Sequence, residues 1–155
     1  MARDLADLRV VADYQFGAGA GAALFPPDEQ LAVSRSSGGR PRQVHADGER
    51  LVSYGTDGRF TLGVAGGERL RRALAPPAYR VTVGSESDPY VREGRNAFAK
   101  FVTGVDPAVR PGDEVLVVDG EDTLLAVGRA ALSAEGICDF ERGEAVSVRE
   151  GVPAE

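Results

Sequence analysis

Apolar residues recur along the chain with two different periods, and the changes of period outline its elements. In residues 3–12, RDLADLRVVA, Leu5, Leu8 and Val11 stand three apart, the spacing of a short amphipathic helix. The small-residue stretch that follows, DYQFGAGAGAALFPPDEQ, reads as a pliant loop in which Pro26-Pro27 ends any helix. From 31 to 64 the pattern becomes that of strands. LAVSRS and RQVHA flank the glycine-rich tip SGGRP, while ERLVSY and RFTLGV flank GTDG, where Asp57-Gly58 is a tight-turn pair. A four-stranded antiparallel meander is expected. GGERLRRALA then returns to helical spacing, with Leu70 and Leu74 four apart, and stops at Pro76-Pro77.

Pro76-Pro77 is the expected boundary, giving domains 1–78 and 79–155. After it, YRVTV is a strand and SESDPYVREG a capped helix, with Asp88 as N-cap, Pro89 at the first helical position and Gly94 closing the C-terminal end. NAFAKFV continues as a strand. Its alternation puts Phe98, Lys100 and Val102 on one face and Ala97, Ala99 and Phe101 on the other. The turn DPAVRPGD leads to the strands EVLVVDG and TLLAVGRAAL, joined through Glu121-Asp122. SAEGICDFERG reads as a helical turn and EAVSVRE as a last half-buried strand. The expected fold class is α+β: a small antiparallel-sheet domain with flanking helices, then a small closed or nearly closed β-barrel. The halves share no internal repeat.

Composition narrows the chemistry. With 43% apolar residues in 155, the chain can build a packed core, and its 20 glycines and nine prolines favour many short strands. The single cysteine, Cys138, excludes an internal disulfide. With a single histidine, His45, it also falls short of a Cys/His zinc site, so no metal or other cofactor is expected. No apolar run approaches membrane-spanning length and the N-terminus lacks a leader-like core, which predicts a cytoplasmic protein without a membrane partner. The net charge is −6, unevenly spread. Residues 1–78 carry ten basic and nine acidic groups, a net of +1; residues 79–155 carry eight and fifteen, a net of −7. Such acidity serves solubility and says little about partners.

Against that background one strip stands out. Residues 89–111 hold Arg92, Arg95, Lys100 and Arg110 against Glu93 and Asp106, a local net of +2 that includes the only lysine. From spacing alone it reads either as solvated charge after a helix cap or as a phosphate grip. A grip needs local cations, because each contact releases a counterion, and Gly94 would let a nucleic-acid backbone approach. Phe98 is either core or a stacking surface for an unpaired base. Elsewhere the chemistry is thin. Arg35, Arg40 and Arg42 ring a hairpin tip that reads as an ordinary solvated turn or, less simply, as an arginine finger on RNA, and GAGAG lacks both the lysine and the strand–loop–helix context of a phosphate loop. His45 has no neighbouring nucleophile, and Asp139 beside Cys138 disfavours a thiolate. No catalytic set emerges, and no enzymatic activity is expected.

The order of motifs in the second half resembles the PUA domain, an RNA-binding pseudobarrel found in pseudouridine synthases and archaeosine transglycosylases. The motifs are Gly94-Arg95 before an apolar strand, Pro111-Gly112-Asp113, Ala126-Val127-Gly128-Arg129-Ala130, and Gly143 before the closing strand. With DYQFG (Asp13 to Gly17), the strand pairs and RNAFAKFV added, nearly the whole chain resembles the C-terminal half of archaeal archaeosine tRNA-guanine transglycosylases, without their catalytic barrel. The EGICDF stretch departs from that family, as does the acidic balance. The resemblance implies that the helix, the strand after it and the closing strand form an RNA groove containing Arg92, Gly94, Arg95, Phe98, Lys100, Arg129 and Arg149. It further implies RNA, chiefly the acceptor region of tRNA, as partner, alongside a separate tRNA-modifying enzyme. The alternative is a protein-interaction subunit of an RNA-modifying or ribosome-related complex, with a vestigial groove.

Overall fold

The computed structural model describes residues 2–140 and 142–154, and the chain divides into two compact units, residues 1–74 and 75–155. In the first unit, helix α1 (Ala2–Phe16) runs through DYQF, past its expected end. Its buried stripe is Leu8, Ala12 and Phe16, four apart, while Leu5 and Val11 are only half-buried. Packing on this rotated stripe carries the helix onward. The supposed loop contains a second helix, α2 (Ala20–Leu24), with Ala20 and Leu24 fully buried. Asp13 holds its first turn by accepting the Gly21 N–H at 2.8 Å.

The meander forms as expected: β1 (Ala32–Arg35), β2 (Pro41–Ala46), β3 (Glu49–Tyr54) and β4 (Phe60–Leu62), neighbours in that order and all antiparallel. Gln15 ties α1 to this sheet. Its amide donates to the Phe60 carbonyl at 2.8 Å and accepts the Phe60 N–H at 2.7 Å, acting as an extra strand partner for β4. Helix α3 (Val64–Ala73) closes the unit and buries Leu70. From it Arg69 forks onto Glu29 at 2.6 and 2.8 Å.

The second unit is a six-stranded sheet in the order β6-β10-β9-β8-β5-β7. Its elements are β5 (Arg80–Val83), α4 (Asp88–Arg92), β6 (Ala97–Phe98), a 3₁₀ turn (Ala99–Phe101), β7 (Val102–Val105), β8 (Glu114–Val118), β9 (Leu124–Ala130), α5 (Ala134–Asp139) and β10 (Glu144–Gly151). Strands β6 and β7 lie at opposite ends of that order yet follow one another in the chain. The 3₁₀ turn between them nearly closes the sheet into a pseudobarrel filled by Val81, Val83, Val115, Val117, Leu125 and Val146. The segment read as one strand is therefore two. Alternation holds from the buried Ala97 and Ala99 to the exposed Phe98 and Lys100, and fails beyond, where Val102 packs on the barrel core.

Arg80, 2% exposed, braces the start of this unit. Its guanidinium forks onto Asp122 at 3.0 and 3.1 Å and donates to the Ala78 carbonyl at 3.0 Å, fixing the β8–β9 hairpin tip beside β5. A carboxylate gripped by a planar fork in this way is among the stronger polar pairs available.

The Arg69–Glu29 fork gives the first unit a defined acid response. Hydrogen bonding to Arg69, the largest influence, holds the Glu29 carboxyl below its ordinary value of 4.5. A depressed carboxyl stabilises the fold above its unfolded pKa and loses that contribution as pH falls through the folded value. Both side chains are partly exposed, so the effect is small, about 1 kcal/mol or less. Glu29→Gln should lower the Tm at pH 7, and this gap should shrink progressively as pH falls below the carboxyl's ordinary value of 4.5, as read by paired thermal melts.

Candidate nucleic-acid interface

The edge that carries the basic strip is built from the end of α4 outward. Ser87, not Asp88, occupies the N-cap; Asp88 lies in the first turn and accepts Arg92 Nε at 2.7 Å. At the other end Gly94 has φ +95°, a left-handed conformation that glycine reaches without steric cost. It donates to the Val91 carbonyl while Arg95 N–H donates to that of Tyr90, both at 3.0 Å, so two bonds end the helix and turn the chain. The turn is clamped from below. A Cβ on Gly151, at the end of β10, would lie 2.1 Å from the Arg92 carbonyl oxygen, so only glycine permits this approach.

From there the chain is stitched along β10. Asn96 accepts the Val148 N–H at 2.9 Å through Oδ1 and donates from Nδ2 to Glu144 Oε1 at 2.8 Å. Ala97 and Phe98 pair with Val146 and Glu144, and Ala99 N–H donates to the Gly143 carbonyl at 2.9 Å. With Ala97 and Ala99 turned into the barrel, Arg95, Phe98 and Lys100 are left exposed along this short segment, Phe98 being 45% exposed. The Arg95 guanidinium lies 5.7 Å from the centre of the Tyr90 ring and Lys100 Nζ 4.9 Å from that of Phe101. These rings steady both cations without neutralising them.

The other expected residues have different surroundings. Arg92 is turned inward, onto Asp88 and onto the Val152 carbonyl at 3.2 Å. Arg149 forks onto Glu114, whose side chain is 3% exposed. Arg129 is exposed on β9, in register with Glu114 on one side and Ser147 on the other. The structure thus gathers Gly94, Arg95, Phe98 and Lys100 on one edge and places Arg129 and Arg149 on the outer face of the adjoining strands. The sequence reading missed Asn96 and Glu144. Asparagine directly after the helix-ending Gly94-Arg95 pair hints at side-chain-to-backbone bonding, but its partners lie 48 and 52 residues away.

Other arginines are occupied structurally. Arg40 lies 4.5 Å from the Tyr54 ring centre and donates to the Tyr54 and Gly55 carbonyls, and Arg35 reaches Asp4 and Gly39. An open cleft of about 520 Å³ lies between the 3₁₀ turn, β7 and α5, with the exposed Cys138 and Phe140 on its wall. Among the described residues no group of His, Cys, Asp or Glu side chains could hold a metal ion, and no helix is long and apolar enough to cross a membrane.

Comparison with known proteins agrees with this architecture. Residues 79–152 match the model of the PUA domain, and residues 6–77 match that of the patch-forming domain C2 of tRNA-guanine transglycosylase. The chain thus carries a C2 domain over residues 6–77 followed by a PUA domain over residues 79–152. In particular, it matches part of the archaeal tRNA-guanine(15) transglycosylases: it is 44% identical over 149 residues to that of Methanothermobacter thermautotrophicus and 46% identical over 143 residues to that of Thermococcus kodakarensis. These alignments cover 96% and 92% of the chain but only 23% and 24% of the relatives. The fold is shared with a conserved PUA domain protein of Thermoplasma acidophilum, at TM-score 0.71 and 19% identity. It is shared too with a hypothetical protein of Pyrococcus horikoshii, at TM-score 0.73 and 18% identity. Each of these alignments covers 100% of the chain and 93% of the neighbour.

The surroundings separate cations that support the fold from cations that face solvent. Arg149→Ala removes the fork on a buried carboxylate and should destabilise the protein by about 1–3 kcal/mol. Arg95→Ala and Lys100→Ala should change stability by less than about 0.5 kcal/mol. Denaturant melts of the three variants check both statements.

Proposed function

We propose that this protein binds RNA, specifically the acceptor region of tRNA, without itself catalysing a reaction, and presents it in the cytoplasm to a separate tRNA-modifying enzyme. Residues 79–155 form the RNA-binding domain and residues 1–78 its structural companion. The observation that carries this reading is the uninterrupted edge from Gly94 to Lys100. A bare glycine, two exposed cations and one exposed aromatic ring are held there by backbone bonds to β10.

Each group has a role that follows from its setting. Arg95 and Lys100 neutralise phosphates and release counterions, and Gly94 lets the ribose-phosphate chain pass close to the protein backbone. Phe98 stacks on a base that is not paired, which directs the edge to a helix end or overhang. Arg92 positions the turn, Arg149 braces the outer face of β10 through Glu114, and Arg129 extends the positive face across β9. Most contacts address backbone and helix shape, so affinity depends strongly on salt while sequence preference stays confined to one or two bases. The relatives' name, tRNA-guanine(15) transglycosylase, supports tRNA as the RNA and guanine modification as the setting.

The test is equilibrium binding to total tRNA, with and without its 3′ end, across a salt series. Binding should weaken on trimming, with log K falling linearly against log salt. The Arg95→Ala/Lys100→Ala double variant should bind at least about tenfold more weakly and lower the salt slope by roughly 1.5 to 2. If nothing binds at any salt, the reading fails, and the acidic surface of residues 79–155 becomes the place to look for a protein partner.

A further inference from the structure

A carboxylate in the middle of a phosphate grip works against it, yet Glu144 stands there. It is exposed and lies directly opposite Phe98 in the β6–β10 pair. Directly opposed residues on antiparallel strands project to the same face with Cβ atoms roughly 5 Å apart. The carboxylate is also oriented: Asn96 Nδ2 donates to Oε1 at 2.8 Å, while Asn96 is itself fixed by the Val148 N–H at 2.9 Å. Among the described residues Oε2 has no hydrogen-bond partner. Aromatic plate, neighbouring carboxylate and the carboxamide that aims it form a unit, and its chemistry differs from that of the flanking cations.

We infer that Phe98, Glu144 and Asn96 form a base-reading site that prefers an unpaired base with an exocyclic amino group over uracil. This rests on the RNA-binding reading and deepens it. A base stacked on Phe98 turns its edge toward Glu144, and the free carboxylate oxygen accepts a hydrogen bond from an amino group such as N4 of cytosine, a recognised pairing of acidic side chains with bases. Uracil presents a carbonyl oxygen at that position, and its remaining N–H lies between two carbonyls, so the carboxylate meets repulsion on either side. A phosphate is refused at the same spot, which keeps the ribose-phosphate chain on Arg95 and Lys100 and the base on Phe98. Asn96 is a positioning residue, since it reaches the RNA only through Glu144.

The polarity of the site makes a sharp test possible. In Glu144→Gln the side-chain oxygen still accepts from Asn96 Nδ2, so the Gln NH₂ group takes the place of Oε2, and an acceptor becomes a donor. Fluorescence anisotropy with the oligoribonucleotides C6 and U6, equal in length and charge and both pyrimidines, reads the consequence. Wild type should bind C6 about tenfold more tightly than U6, the discrimination expected of one hydrogen bond to a charged group. Glu144→Gln should bind U6 more tightly than wild type does and lose or invert the preference. Arg95→Ala should weaken both oligonucleotides equally and keep their ratio. Equal binding of C6 and U6 by wild type, or an unchanged preference in Glu144→Gln, overturns the inference. Failure of both oligonucleotides while tRNA still binds also overturns it and leaves the RNA reading standing. Failure of tRNA as well removes both.

Discussion

A sheet becomes a barrel only when its two edges are brought together, and here residues 97–105 do this, as β6 on one edge and β7 on the other. Its first part pairs with β10 and its last part with β5. Between the two the ladder breaks at a 3₁₀ turn over Ala99–Phe101. Much follows from that break. It ends β6 after two residues, sets Lys100 at the corner, and leaves Phe98 outward at the seam while Ala97 and Ala99 fill the interior. The exposed residues are thus a by-product of closure, held in place by pairing with β10.

The cations around these residues fall into two kinds. Arg80, Arg92 and Arg149 are absorbed by Asp122, Asp88 and Glu114 and brace the hairpin tip, the short helix and the outer face of β10. Arg95 and Lys100 face aromatic rings, which hold a cation in place and leave its charge available. In a unit whose sequence balance is −7, this division matters more than the total. On the proposed function, a surface rich in carboxylates would repel nucleic acid except where cations are left unneutralised, and the acidity itself would help to confine RNA to one edge.

The meander was legible because two-residue periodicity and the Asp57-Gly58 turn are local signals, and so was the glycine-ended helix at Gly94. Helix α2 was not, because GAGAGAAL has too little pattern to show that it is helical; its helix exists because Ala20 and Leu24 find a packed interior. NAFAKFV alternates cleanly, and nothing in it announces the break, which is set by pairing with residues more than 40 positions further on. For the same reason Asn96 and Glu144 escaped notice while Arg95, Phe98 and Lys100 did not. Charge and aromaticity can be read in place, whereas a side-chain bond across 48 residues appears only in the fold. Reading a charge in place also does not tell whether it is already spent, as Arg92 and Arg149 show.

The proposed RNA-binding surface is one edge of the barrel, and amide NMR locates a binding surface directly. A titration of ¹⁵N-labelled protein with an acceptor-stem RNA minihelix carrying a single-stranded 3′ end should perturb residues 94–100 and 143–149 first and most. The acidic β8–β9 tip at Asp119 to Asp122 and the hairpin at Arg35 to Arg40 should stay unmoved. Perturbations centred on either of those places, with Gly94 to Lys100 silent, would contradict the assignment of this edge as the RNA-binding surface.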